Sequence, residues 1–315
     1  MQRQPDIINA ARQATGNLSP ADVAGMITDP VILLSAPRSG STLLYEQLAQ
    51  LGHFWTIGGE SHAVFRAFPA LRAENPQLDS MALNETHADE ITCDLMRRCF
   101  LYFLRNRQGV PYLSLPPQSR PTSVCMLEKT PRNALNIPFL LKVFPKARFI
   151  YLRRDPRQTV SSLIEAWTLG LQTGRFVTFR DLPGWPLPGW CFLLPRGWRE
   201  MSGKSIAEIA AFQWSASNVA IMDGLSALGA DRFTTLDYSS LTRDPAAALT
   251  HLNQVLGFEF TAPAIQPGTL PLSRTTVSAP NPEKWRRHEA EIEALWPALS
   301  QTQTEIEAFC ASANG

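Results

Sequence analysis

Six consecutive residues, Pro37-Arg38-Ser39-Gly40-Ser41-Thr42, bring a guanidinium, three hydroxyls and a glycine together directly after the apolar run Val31-Ile32-Leu33-Leu34. A helical spacing of Leu43, Leu44, Leu48 and Leu51 follows. A buried strand, a tight turn and a helix N-terminus aim several backbone N–H groups at one point, and the helix dipole adds positive potential there. Such a turn is a cradle for a phosphate-like anion. A nucleoside-triphosphate loop would read G-x-x-x-x-G-K-[ST], with a lysine for the β/γ-phosphates and a hydroxyl for magnesium. Here Arg38 brings the charge and no Gly-Lys pair exists, so the expected ligand is a nucleotide anion other than ATP with magnesium. Further cations cluster at Arg148, Arg153, Arg154 and Arg157, and again at Lys284, Arg286 and Arg287. Clustering of this kind in a nearly neutral chain fits a compact polyanion better than a long one.

The elements that position these groups follow from the hydrophobic pattern. A lead-in helix is expected over Ile7–Thr15, then a strand at 31–35 and a second extended stretch, Phe54-Trp55-Thr56-Ile57, ending at Gly58-Gly59. Residues 61–74 read as helical. Glu85–Asn106 reads as a longer amphipathic helix with Ile91, Leu95, Met96 and Phe103 on its apolar side. A Pro-rich loop at 111–121 leads to a strand, Val124–Leu127, followed by Lys129-Thr130-Pro131, a helix near 133–143 and a strand, Arg148–Leu152. Asp155-Pro156 suits an N-cap and first turn. A long helix over Ser205–Leu228 and a strand over Arg232–Asp237 complete an alternation that predicts a mostly parallel sheet covered on both faces. Residues 171–200 interrupt it: Phe176, Phe179, Trp185, Trp190, Phe192 and Trp198 lie among prolines and glycines. This excursion is either a packed unit with its own small core or the wall of a substrate pocket, and one segment can be both.

Composition bounds the function. The 315 residues can form one large α/β domain, and 29 Lys plus Arg against 28 Asp plus Glu leave a net charge of +1. That balance does not advertise nucleic acid or an anionic membrane as a partner. Five cysteines (Cys93, Cys99, Cys125, Cys191, Cys310) form no C-x-x-C pair and read as reduced thiols. The histidines are scattered without metal-ligand spacing, so no metal site is expected. No apolar run reaches spanning length and the N-terminus lacks an apolar signal core, which places the protein in the cytoplasm as an expectation.

Three segments, each at a strand-to-helix junction, resemble those of the sulfotransferases that use 3′-phosphoadenosine-5′-phosphosulfate (PAPS). Pro37-Arg38-Ser39-Gly40-Ser41-Thr42 resembles the family's loop for the 5′-phosphosulfate. Arg154, followed eight positions later by Ser162, resembles the Arg…Ser pair that grips the 3′-phosphate. Glu128-Lys129-Thr130-Pro131 resembles the Lys-bearing segment of the bacterial and tyrosylprotein branches, and Pro282-Glu283-Lys284-Trp285 the segment that folds over the nucleotide. The resemblance spans roughly residues 30–60, 125–170 and 230–290, and Tyr238, which lies in it just after a strand, is counted with the nucleotide-binding residues. It implies a three-layer, P-loop-like α/β fold, PAPS as co-substrate and no metal.

The chemistry accounts for the residue types. PAPS carries a 3′-phosphate that ATP lacks, so a second anion grip is needed, which the planar fork of Arg154 and the hydroxyl of Ser162 can supply. Sulfuryl transfer is an in-line displacement dominated by positioning and electrostatics. Lys129 is the expected cation for the sulfuryl group and bridging oxygen, with Arg38 close by and Lys284 as a further candidate. The acceptor hydroxyl needs a base. By the same resemblance Glu60, in Gly58-Gly59-Glu60-Ser61-His62, matches the place of a glutamate that acts as the base in the tyrosylprotein and some bacterial branches. A carboxylate raised by burial could serve there. His62, of a type that titrates nearer neutrality, could replace or assist it.

Each residue also has a plainer role open to it. Arg154 could pair with Asp155, Ser162 could be an ordinary helix residue, Lys284 an exposed helix-start lysine and Glu60 a helix cap. The aromatic excursion points to an apolar acceptor: a phenol, a lipid, or a hydroxyacyl chain delivered by a carrier protein. Two competing functions are a P-loop kinase or phosphotransferase, which would need ATP and magnesium, and a non-catalytic PAPS-binding module.

Overall fold

The computed structural model describes residues 6–75, 77–257, 270–279 and 281–313. Two short helices, α1 (Ile7–Ala14) and α2 (Pro20–Met26), begin at caps from Asp6 and Ser19. They lead to β1 (Val31–Leu34), whose four residues are all buried. Side chains alternate across a strand, so Ile32 and Leu34 enter one core while Val31 and Leu33 enter another. The turn after β1 runs into α3 (Ser41–Ala49), and the short strand β2 (Phe54–Trp55) follows.

Next come α4 (His62–Arg66), α5 (Glu90–Phe103) and β3 (Cys125–Lys129). Then follow α6 (Ile137–Val143), β4 (Arg148–Arg153) and α7 (Pro156–Thr173), whose N-cap is Asp155 as its sequence suggests. An antiparallel pair, β5 (Val177–Phe179) and β6 (Trp190–Cys191), occupies the aromatic excursion. The capping box Ser205…Glu208 starts α8 (Ile206–Leu225), and β7 (Phe233–Asp237) precedes α9 (Tyr238–Arg243), α10 (Pro245–Leu256) and α11 (Glu289–Ala313).

The five-stranded sheet has the order β2-β3-β1-β4-β7 and every pairing in it is parallel. Phe149 and Tyr151 of β4 join Ile32 and Leu34 on the face covered by α5 to α8 and α11, whereas Ile150 and Leu152 join Val31 and Leu33 under α3, α9 and α10. The result is the three-layer α/β architecture expected from the alternation. All five carboxyl ends open on one edge of the sheet. The chain leaves β1 toward β2 and β3, then crosses back over β1 to β4, so a crevice forms beyond β1 where the order reverses.

Several expected boundaries shift. The helix expected over 61–74 stops at Arg66 and resumes only as a single 3₁₀ turn at Pro69–Leu71, because Phe68 takes the extended backbone favoured before proline. The helix expected over Glu85–Asn106 begins at Glu90, where Asp89 caps it. Ile91 in its first turn is 70% exposed, and the inward stripe is instead Cys93, Met96, Cys99 and Phe100. Residues 131–135 form a 3₁₀ turn ahead of α6 rather than its first turns. The strand expected over Val124–Leu127 extends to Lys129, so Glu128 and Lys129 are strand residues. The excursion at 171–200 packs Trp190 and Trp198 with Trp167 of α7 and Trp185 in a cluster of its own. All five cysteines are free thiols, and no helix among the described residues is long and apolar enough to cross a membrane.

Candidate active site

Each strand of the sheet delivers one of the expected site residues from its carboxyl end: Arg38 after β1, Glu60 after β2, Lys129 closing β3, Arg154 after β4 and Tyr238 after β7. They surround a cavity of about 630 Å³ whose wall includes Pro37, Arg38, Gly40, Ser41, Thr42, Glu60, His62, Arg154, Ser162, Tyr238 and Lys284. Ser39 is buried and stands behind this wall.

The turn after β1 is conformationally specialised. Gly40 caps α3 in the left-handed region at φ 94°, and a Cβ there would lie 2.3 Å from the Tyr238 ring. Only glycine permits that approach. Arg38 is also left-handed, at φ 68°, which costs free energy for a residue with a side chain and is common where function holds the backbone. Phe176 and Phe192, at φ 68° and 64°, are left-handed too. Their rings stack 5.2 Å apart and both line the cavity. The aromatic excursion therefore has both expected characters, an internal cluster and a cavity wall.

Cations crowd the loop. Arg154 Nη1 donates to the Arg38 carbonyl at 3.2 Å, its guanidinium lies 4.4 Å from the Tyr238 ring centre, and Gln158 accepts from its other nitrogens. Asp155 caps α7 and forms no ion pair with Arg154 among the described residues. Arg38 Nε donates to Ser162 Oγ at 3.3 Å and its Nη1 to the Thr275 carbonyl at 2.8 Å, which ties residues 270–279 to the loop. Burial, then the Arg154 and Arg175 guanidiniums, bring Arg38 down to about 10, with Glu165 opposing them.

Glu165, inside α7, is a site residue that the sequence reading overlooks. It accepts from Lys284 Nζ at 2.5 Å, Ser278 Oγ at 3.1 Å and Arg287 Nη1 at 3.1 Å. Burial pushes its carboxyl up, but Lys284, with Ser278 and Arg287, holds it below the ordinary range. Lys284 is thus a partly buried, paired group and not an exposed helix-start lysine. Trp285 beside it lines the cavity, and His288 shares a 2.9 Å hydrogen bond with Ser161.

On the other side of the loop, Lys129 is 1% exposed. Its ammonium donates to Thr42 Oγ1 at 3.1 Å and to Glu60 Oε1 at 2.5 Å, so it sits one layer beneath the wall that Thr42 and Glu60 form. His62 Nε2 donates to the other oxygen, Glu60 Oε2, at 2.9 Å. Here one expectation is corrected. Burial does push the Glu60 carboxyl up, but the His62 hydrogen bond and the Lys129 charge outweigh it and hold the group at about 2. Nor is Glu60 a helix cap: the N-cap of α4 is Ser61, whose side chain turns elsewhere.

That side chain enters a second overlooked feature. Glu128, 1% exposed, accepts from the hydroxyls of Ser61 (2.7 Å) and Thr130 (2.5 Å) and from Asn133 Nδ2 (2.5 Å). The Ser61 backbone N–H donates to Thr130 Oγ1 at 2.7 Å. Burial pushes Glu128 up, opposed by these donors and by Lys129. The network bolts the Glu60–His62 segment to the end of β3 and so fixes Glu60 against Lys129. A charged pair inside an apolar strand was its signal in the sequence.

A model described as a sulfotransferase family matches residues 30–191, just over half of the chain. Among solved structures, the chain is similar to a sulfotransferase domain from the curacin biosynthetic pathway, with 18% identity over 85% of this chain and 98% of that one and a TM-score of 0.45. The sulfotransferase domain of the olefin synthase of Synechococcus PCC 7002 matches at 21% identity, over 83% and 88% of the two chains, with a TM-score of 0.45. A sulfotransferase from Alicyclobacillus acidocaldarius matches at 14% identity, over 90% and 97%, with a TM-score of 0.49. No curated protein matches the chain.

The Glu60 environment sets a pH dependence. A carboxyl lowered from its ordinary 4.5 to about 2 contributes stability that is present above pH 4.5 and is lost as pH falls toward 2. Glu60→Gln should therefore cost on the order of 2 kcal/mol in urea unfolding at pH 7, and the difference from the parent should shrink between pH 4.5 and 2. A difference that does not change with pH would contradict the assignment.

Proposed function

The chain belongs to the sulfotransferase family, and on that premise we propose that it moves a sulfuryl group from PAPS to a hydroxyl of an apolar acceptor. The observation that carries the donor is the crowding of Arg38, Arg154 and Arg175 around one turn. Each guanidinium disfavours the charge on Arg38, except as a polyanion compensates them. The backbone N–H groups at the start of α3, with Ser41 and Thr42, suit the 5′-phosphosulfate. Arg154 and Ser162 lie beside that turn, where a 3′-phosphate needs its second grip. Lys284 and Trp285 line the same cavity.

In the reaction the acceptor oxygen attacks sulfur, the bond from sulfur to the bridging phosphate oxygen breaks, and adenosine 3′,5′-bisphosphate leaves. Charge grows on that bridging oxygen. Lys129, whose ammonium already donates to Thr42 Oγ1 of the loop, and Arg38 are the cations assigned to stabilise it. A carboxylate held at about 2 is a weak proton acceptor near neutrality. We therefore assign the hydroxyl proton to Nδ1 of His62, whose Nε2–H is committed to Glu60. That hydrogen bond fixes the tautomer and stabilises the imidazolium that forms, and Glu60 acts as the orienting partner. Phe176, Val177, Phe192 and Leu193 give the cavity an apolar wall suited to a phenol, a lipid or a carrier-borne hydroxyacyl chain.

Adenosine 3′,5′-bisphosphate without magnesium should stabilise the protein by about 3 kcal/mol at a hundredfold excess over its Kd, read by thermal shift. Arg154→Ala should abolish most of that gain. Equal stabilisation by ATP with magnesium, or indifference to the loss of Arg154, would overturn the donor assignment.

With nucleotide binding intact, His62→Ala should lower sulfuryl transfer by about 10²-fold or more, and Glu60→Gln by less. Full activity of His62→Ala in a coupled assay would refute its role as base.

A further inference from the structure

The wall of the cavity also holds two cations that neither the donor nor the proton transfer uses, Arg66 and Arg132. Arg132, directly after the Lys129-Thr130-Pro131 segment, is 4% exposed yet lines the cavity. Its guanidinium is held 4.2 Å from the ring centre of Phe65, which fixes its plane. Its hydrogen bonding is nearly empty. Nε is buried without a partner, Nη2 reaches only the Met81 carbonyl at 3.5 Å, and Nη1 has no partner among the described residues. Neither Arg132 nor Arg66 forms an ion pair among the described residues. Burial, then the neighbouring Arg66, hold Arg132 down to about 9, while Glu74 and Glu128 act in the opposite sense.

A guanidinium buried with five donors almost unused is costly unless a ligand satisfies it. A planar fork of this kind matches a carboxylate or phosphate. The stacked rings of Phe176 and Phe192, with Leu193, supply apolar wall in the same cavity. We propose that Arg132, assisted by Arg66, forms an oxyanion subsite for the acceptor, so that the substrate is an apolar alcohol bearing a carboxylate or phosphate at a distance from its reacting hydroxyl. This deepens the sulfotransferase reading above and rests on it. Arg132 and Arg66 are binding residues for the far end of the acceptor, and the hydroxyl is left to His62.

The test uses the full chain saturated with adenosine 3′,5′-bisphosphate and follows binding of apolar probes by calorimetry. Dodecanoate should bind at least about tenfold more tightly than its uncharged methyl ester, the worth of one charge-assisted hydrogen-bond pair. Dodecyl phosphate in a parallel titration tells whether carboxylate or phosphate is preferred. Arg132→Gln should erase the preference. Should that variant fold poorly, Arg66→Gln, at an exposed position, should still reduce it. Both variants should keep the nucleotide-induced thermal shift of the parent. Equal binding of dodecanoate and its ester by the parent, or a preference untouched by both substitutions, would overturn the oxyanion subsite. A parent that adenosine 3′,5′-bisphosphate does not stabilise would instead overturn the donor reading, which separates the two failures.

Discussion

A lysine ammonium at the end of a central β-strand, 1% exposed, is the constraint on which the site depends. An ammonium out of water costs several kcal/mol unless an anion and further hydrogen bonds meet it. Lys129 finds that anion in Glu60, which belongs to the loop after β2, and a further hydrogen bond in Thr42 at the start of α3. One buried charge thus draws together the segments after β1, β2 and β3. The Glu128 network holds the arrangement, since Ser61 cannot leave Glu128 and Thr130 without abandoning the hydrogen bonds of both its hydroxyl and its backbone N–H. Glu60 is then held as an ionised carboxylate, and in the reaction proposed above the proton-accepting task is assigned to its neighbour His62.

The opposite side of the turn has the complementary imbalance. Three guanidiniums stand near one another with Glu165 as the carboxylate that offsets them, and Glu165 is already shared by Lys284 and Arg287. The positive charge in excess around the turn suits the anion of the proposed donor, and the Lys129–Glu60 pair stands on the side assigned to the proposed acceptor. Strain follows the same geography. Of the four non-glycine residues in left-handed backbone among the described residues, Arg38, Phe176 and Phe192 line this cavity. Their side chains are held where regular structure would not hold them.

Much of this was legible in the sequence because apolar runs ending in a small or charged turn mark both a strand and its carboxyl end. The turn at 37–42 is legible in that way, Arg154 and Lys129 stand out through the resemblance of their segments to the family's, and alternation of strands and helices is enough for the parallel sheet. What was not legible depends on pairs distant in sequence. The ionisation of Glu60 is decided by Lys129, 69 residues away. Burial alone predicted the wrong direction. The strand expected to end at Leu127 runs two residues further, and that extension buries Lys129 beneath the cavity wall. Arg132 was hidden by a helix expected from 133 onward, where the chain instead makes a 3₁₀ turn that buries the guanidinium against Phe65. The left-handed turns at Phe176 and Phe192 have no residue-type signal at all.

The coupling between Lys129 and Glu60 is measured most directly by a double-mutant cycle on unfolding free energy in urea at pH 7, with Lys129→Met, Glu60→Gln and the double variant. The single substitutions should each destabilise the chain, and the double variant should be more stable than their sum by about 1 kcal/mol or more, because it leaves no buried charge unpaired. Losses that add within about 0.5 kcal/mol would mean that the two groups do not hold each other, and the account of the site would fail with them.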